Sequence, residues 1–286
     1  MTIIAVSRTS PDPLALPADA AQAGVGPRVP APRNGDQRPD DSMNSVLGKA
    51  QLILESFTAA DDVLSLSGLV RRSGVPKATV HRLAQELLRW GMLERADGGY
   101  RLGLRLFELG LRVPRQRILR EAALPYMEDL LVATQETIHL AVHEGLEVLY
   151  IEKIIMHRGL SAQSRVAGRL PLYCTATGKV LLAFSAPSLF EALCRSGLAP
   201  LTRHTITSPA LLAEQLARVH AEHLAIECEE TRLGYASLAV PVFGGSGILA
   251  GALSITAPTC RMNVPKMAGL LRAAAVGITR TLRLAG

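Results

Sequence analysis

From Ser45 onward, apolar side chains recur at helical spacing, with Val46, Leu47, Ala50, Ile53, Leu54 and Phe57 on one stripe. A second, shorter helix is expected over Leu66 to Arg72, where Ser65 or Ser67 can accept the free amides of its first turn. Ser73-Gly74-Val75 breaks it. Pro76 lacks the N–H that a helix start leaves unpaired, so it suits the opening of a third helix that runs through Lys77 to Trp90 and ends at Gly91. Val80, Leu83, Ala84, Leu87 and Leu88 form its inward side. Leu93-Glu94-Arg95 and Tyr100-Arg101-Leu102 then flank a hairpin turn carrying Asp97-Gly98. Helices, a tight turn, a further helix and a two-stranded wing follow one another as in a winged helix-turn-helix.

Leu102 to Arg112 is leucine-rich and helical, Pro114 interrupts it, and Ile118 to Gln135 resumes the pattern. This connector is too apolar for a solvated linker. It packs either against a second subunit or within its own chain, and the pattern favours neither. From Thr137 strands and helices alternate. Strands are expected at Ile138 to Glu144 and Glu147 to Ile155 across a Gly145 turn, and at Ala236 to Phe243 and Ile248 to Thr256 across Gly244-Gly245-Ser246-Gly247. Helices are expected at Thr177 to Phe184, Ser188 to Arg195, Ala210 to His223 and Val264 to Leu284. Paired strands with interspersed helices make an α+β domain, an antiparallel sheet covered by helices. Residues 1–44 hold 7 of the 17 prolines and show neither period, which marks a disordered leader. The expected organisation is leader 1–44, winged helix-turn-helix 45–102, helical connector and dimerisation segment 103–135, and second domain 136–286.

Composition sharpens this. A chain with 48% hydrophobic and 20% charged residues can build cores, which excludes wholly disordered and collagen-like classes. The net charge of +6 is unevenly spread: −1 in residues 1–44, +4 in 45–115 and +3 beyond. The basic excess is densest on the winged head, as a nucleic-acid surface requires. Leu233 to Cys260 carries no charge for 28 residues, yet its two prolines and five glycines fit a buried hairpin better than a membrane span. The four cysteines are 20, 34 and 32 residues apart, so no Cys-x-x-Cys pair suggests zinc or redox work. With no export signal, a cytoplasmic location is expected.

In a helix-turn-helix the later helix enters the major groove, and its first turns need short polar groups and Arg or Lys that reach base edges and phosphates. Lys77, Thr79, His81 and Arg82 stand there, while Arg95 and Arg101 on the wing strands are placed for phosphates beside the groove. Arg71 and Arg72 either do the same or complement the carbonyl end of their own helix. Enzyme patterns fail. Gly178-Lys179 lacks the upstream glycine of a P-loop and is followed by Val180, and Gly245-x-Gly247-x-x-Ala250 leads into a strand instead of a helix. No nucleophile elbow or His-Glu-x-x-His spacing occurs, and His220 and His223 read as solvated. No catalytic role, metal or cofactor is called for.

The chain resembles the IclR family of transcription regulators. The resemblance rests on Val75-Pro76-Lys77-Ala78-Thr79-Val80-His81-Arg82-Leu83, on GRLPLYCTATGKVLLA at Gly168 to Ala183, and on Glu229-Glu230 through Gly234 to Val242 with Leu253 to Pro258 after it. It implies that the second domain is GAF-like and binds a small-molecule effector such as an organic acid. It also implies that the protein binds double-stranded operator DNA as a homodimer or homotetramer. Carried over position by position, Ala176 and Thr177 would form the ligand-contacting turn, Glu227 an acidic pocket position, Ser237 a strand position, and Ser254 and Thr256 the neighbouring strand. An acidic Glu227 would repel an anion unless protonated or turned away. A rival reading is an enzyme or small-molecule sensor whose basic head is only an interaction module.

Overall fold

The computed structural model describes residues 44–58, 61–155 and 166–285. The leader expected over 1–44 lies outside them apart from Asn44. Three helices, α1 (Val46–Glu55), α2 (Leu66–Ser73) and α3 (Lys77–Arg89), and the wing strands β1 (Leu93–Ala96) and β2 (Gly99–Leu102) make the head. Their buried side chains, Ile53, Leu69, Val80, Leu83, Leu87, Leu93 and Tyr100, close one core. Ser65 is the residue that caps α2, accepting the Gly68 amide at 3.1 Å. Pro76 stands one place before α3 rather than inside it. Val46 and Leu47 are exposed, contrary to the stripe read from the sequence, while Ile53 of the same helix enters the core.

Two helices follow, α4 (Leu104–Gly110) and α5 (Pro114–Thr134). Pro114 therefore opens the second connector helix, where its missing N–H costs nothing. The two differ in packing. α4 buries none of its residues, whereas Leu119, Ala123, Met127 and Leu130 of α5 enter a core within the same chain.

That core belongs to a six-stranded antiparallel sheet of order β5-β4-β3-β8-β7-β6. Its strands are β3 (Thr137–Glu144), β4 (Glu147–Ile154), β5 (Arg169–Pro171), β6 (Ala225–Cys228), β7 (Tyr235–Phe243) and β8 (Leu249–Pro258). The apolar, uncharged stretch is thus a hairpin of β7 and β8. No helix among the described residues is long and apolar enough to cross a membrane. One face of the sheet meets α5 and α9 (Val264–Ala285), which contributes Met267, Leu271, Ala275 and Ile278. The ring of Tyr126 on α5 fills the place where a Cβ on Gly277 of α9 would stand 2.2 Å away. The other face meets α6 (Ala176–Ala183), α7 (Pro187–Ser196) and α8 (Pro209–Glu222) around Leu172, Val180, Leu181, Leu193 and Leu212.

The register assigns the faces. Ala141 pairs with Tyr150 but Leu140 pairs with Glu152, so Ile151 is an extra residue in β4. Paired residues share a face, and the bulge shifts the alternation. Tyr150 consequently faces α6, while Glu152 faces α5 and pairs with Arg120.

Candidate functional site

On the head, Val80, Leu83, Ala84 and Leu87 are buried and turn the opposite face of α3 outward. Lys77, His81 and Arg82 are exposed there and Thr79 is half-buried. Arg95 is exposed with its guanidinium 4.9 Å from the centre of the Tyr100 ring, which holds it beside the wing. Arg101 pairs with Glu94 at 2.8 Å, and the same carboxylate accepts the Leu104 amide at the start of α4. Arg72 is a structural tie: its guanidinium grips both oxygens of Asp61 and donates to the Ser56 carbonyl. Arg71 is exposed. Lys77, His81 and Arg82 thus lie on the outer side of α3, while Arg95, paired with Tyr100, and Arg101, paired with Glu94, lie on opposite faces of the wing.

In the second domain, α6 begins directly above the sheet. Thr175 caps it by accepting the Gly178 amide at 3.0 Å. Gly178 is required for this approach, since a Cβ there would stand 2.1 Å from the Leu172 carbonyl oxygen. Between the amino end of α6 and the sheet lies a cavity of about 60 Å³, lined by Ala176, Thr177, Glu227, Ser237, Ser254 and Thr256 together with Thr137, His139, Tyr150 and Arg232. A single water needs roughly 10–15 Å³, so the space suits a compact ligand. The six residues carried over from the resemblance all line this one cavity.

The strand pairing arranges them in rows. Glu227 pairs with Ser237, Ser237 with Thr256 and Thr256 with Thr137, giving a polar row across four strands spaced by about 4.8 Å. Ser254 and His139 are neighbours in the next row. Within the first row the Ser237 and Thr256 hydroxyls are 3.0 Å apart. One Glu227 oxygen accepts the Glu230 and Thr231 amides at 2.6 and 3.1 Å. Burial still dominates at Glu227 and pushes its carboxyl up to about 7, against those two amides, which favour the charged form. Burial thus lessens the obstacle to an anion by favouring the neutral carboxyl. Burial likewise raises the Tyr150 hydroxyl and the Cys174 thiol to about 12, so both stay protonated.

Glu230 is not among the residues that line the cavity. It forms an ion pair with Lys179, whose side chain is fully buried, and so ties the turn after β6 to α6. The Thr202 and Thr205 hydroxyls fasten the same turn by donating to the Glu229 and Glu230 carbonyls, each at 2.6 Å. Sequence reasoning passed over Thr137, His139, Tyr150 and Arg232. The signal available for the first two was a polar residue at every second position, Thr137 and His139, set between Ile138 and Leu140 in a strand.

A winged helix-turn-helix head, joined to a domain that encloses a polar cavity, is the build of a ligand-responsive DNA-binding transcriptional regulator. Residues 46–97 match the IclR helix-turn-helix domain, and residues 113–280 match the bacterial transcriptional regulator IclR C-terminal domain. The chain belongs to the IclR family. It is similar to the KdgR regulator of Dickeya chrysanthemi, at 35% identity over 80% of this chain and 75% of that protein. It is also similar to the transcriptional repressor YiaJ of Escherichia coli, at 32% identity over 79% and 82% respectively. Among solved structures, an IclR homolog from Microbacterium hydrocarbonoxydans, complexed with 4-hydroxybenzoate, aligns with a TM-score of 0.80 and 35% identity over 84% of this chain and all of that one.

Proposed function

We propose that this regulator binds double-stranded operator DNA as a homodimer or homotetramer in the cytoplasm, without catalytic activity, and that an organic acid in the second domain sets its DNA affinity. Lys77, Thr79, His81 and Arg82 would read the major groove, with Arg95 and Arg101 on flanking phosphates. Ala176, Thr177, Glu227, Ser237, Ser254 and Thr256 would hold the effector. The observation that carries this reading is the convergence of those six residues on one cavity under the amino end of α6, where unpaired backbone amides favour a carboxylate. An effector can bias the head only if the two arrangements of the protein bind it with different affinity.

The test is footprinting on the DNA upstream of the protein's own gene at fixed salt, with and without 4-hydroxybenzoate. A two-fold symmetric protected site whose midpoint moves with the acid supports the reading; protection that is sequence-independent at every salt concentration contradicts it. Arg82→Ala should weaken operator binding by about 5- to 150-fold, the worth of one good base contact, and leave the melting temperature unchanged because the side chain is exposed. Unaltered operator affinity at matched salt would remove Arg82 from the interface.

A further inference from the structure

His139 and Thr137 lie on the cavity face of β3, each 2% exposed. Neither ring nitrogen of His139, nor the Thr137 hydroxyl, has a hydrogen-bond partner among the described residues. The rest of the polar row is engaged: Ser237 with Thr256, and Glu227 with two amides. The unmet hydrogen-bonding capacity of the floor is therefore gathered at its β3 end. Buried polar atoms in a native fold are normally paired, and a cluster that is not is a place prepared for a guest.

The kind of guest follows from the chemistry of the two groups. The His139 ring is held against Tyr150, centroids 4.9 Å apart and tilted by 44°. Burial, and to a smaller degree the Lys153 ammonium across the strand pair, keeps the imidazole neutral by lowering its pKa to about 3. A neutral imidazole presents one donor and one acceptor, and a threonine hydroxyl can act as either. A carboxylate would bring a charge into a buried site whose imidazole is neutral. A hydroxyl both donates and accepts, so it satisfies whichever nitrogen meets it and still serves Thr137.

We propose that His139 and Thr137 form a hydroxyl-reading subsite, so that the effector is an organic acid that carries a hydroxyl group apart from its carboxylate. This rests on the reading of the cavity as the effector site, with the carboxylate at the amino end of α6. A site that hydrogen-bonds a substrate hydroxyl rejects the analogue without it, because its own buried groups are then left bare. Discrimination comes from His139 and Thr137 together, not from Ser237 and Thr256, whose hydroxyls already bond one another.

The test is calorimetric titration of the full chain with two matched pairs, 4-hydroxybenzoate against benzoate and lactate against propionate. In at least one pair the hydroxylated acid should bind at least about tenfold more tightly. His139→Phe, which keeps a ring but removes the bare nitrogens, should bring the members of that pair within about twofold and leave the ligand-free melting temperature equal or higher. Thr137→Val, nearly the same in shape, should shrink the ratio as well, and decides the matter if the phenylalanine variant does not fold. Equal binding of both members of each pair, or a ratio that survives both substitutions, overturns the proposal while leaving the cavity as the effector site. Binding of no probe at millimolar concentration overturns the proposal and the organic-acid reading together.

Discussion

Lys179→Ala should destabilise the second domain by about 3–5 kcal/mol, the cost of stripping one partner from a buried ion pair. The Lys179 side chain is fully buried and Glu230 is 5% exposed, so water cannot replace the lost ammonium. Burial raises the pKa of Glu230, and Lys179, with a smaller contribution from the Ile206 amide, pulls it down. Removing the cation leaves a carboxyl that must either stay charged in an apolar site or take up a proton. Neutralising both partners, as in Lys179→Met with Glu230→Gln, should recover most of the loss, because two matched apolar or neutral groups need no desolvation of charge. Urea unfolding followed by circular dichroism is the appropriate readout, since the single tryptophan, Trp90, lies in the head. A loss below about 1 kcal/mol, the range of exposed pairs, would show that the interaction is screened.

Glu227→Gln should abolish a pH dependence of stability worth up to about 3 kcal/mol. The folded-state pKa is raised, from an ordinary 4.5 to about 7, chiefly by burial. A raised value means that the folded protein holds this proton more tightly than the unfolded chain does. The contribution is therefore fully present below the unfolded value, declines as pH climbs, and is gone once pH has passed through about 7. Glutamine cannot ionise, yet its amide oxygen can still accept the Glu230 and Thr231 amides. Wild type and variant should accordingly be alike in urea midpoint at pH 4 and diverge at pH 8, with the variant the more stable. A difference that is the same at both pH values would refute the assignment.

The strength of periodicity decided how much was legible beforehand. The head was readable because each of its elements carries its own punctuation: Ser65 before α2, Gly74 after it, Asp97-Gly98 in the wing. The long strands β3, β4, β7 and β8 were equally plain. The edge strands β5 and β6 were not, being three and four residues long, too short for an alternation to register. Position-by-position resemblance named six of the cavity residues, but it could not supply His139, whose place beside Ser254, 115 residues further along the chain, depends on the pairing of β3 with β8. Gly178-Lys179 was set aside as a failed phosphate loop. Its two residues serve packing instead, the glycine beneath the Leu172 carbonyl and the lysine in the buried pair with Glu230.

The contact of Tyr126 with Gly277 is joined by the Tyr126 and Thr281 hydroxyls, 3.2 Å apart across 155 residues of chain. It fixes an order of events during synthesis. Every buried residue of the head core lies between Ile53 and Tyr100, so that core is complete in the nascent chain once Tyr100 has left the ribosome. The face of the sheet covered by α5 cannot close until Met267, Leu271, Ile278 and Leu282 of α9 have been made. At about 5–20 residues per second the delay is roughly 10–40 s. For that interval each new molecule has a finished DNA-reading surface and an unfinished sensor, and the helix that completes the sensor is the last of the described elements to be translated.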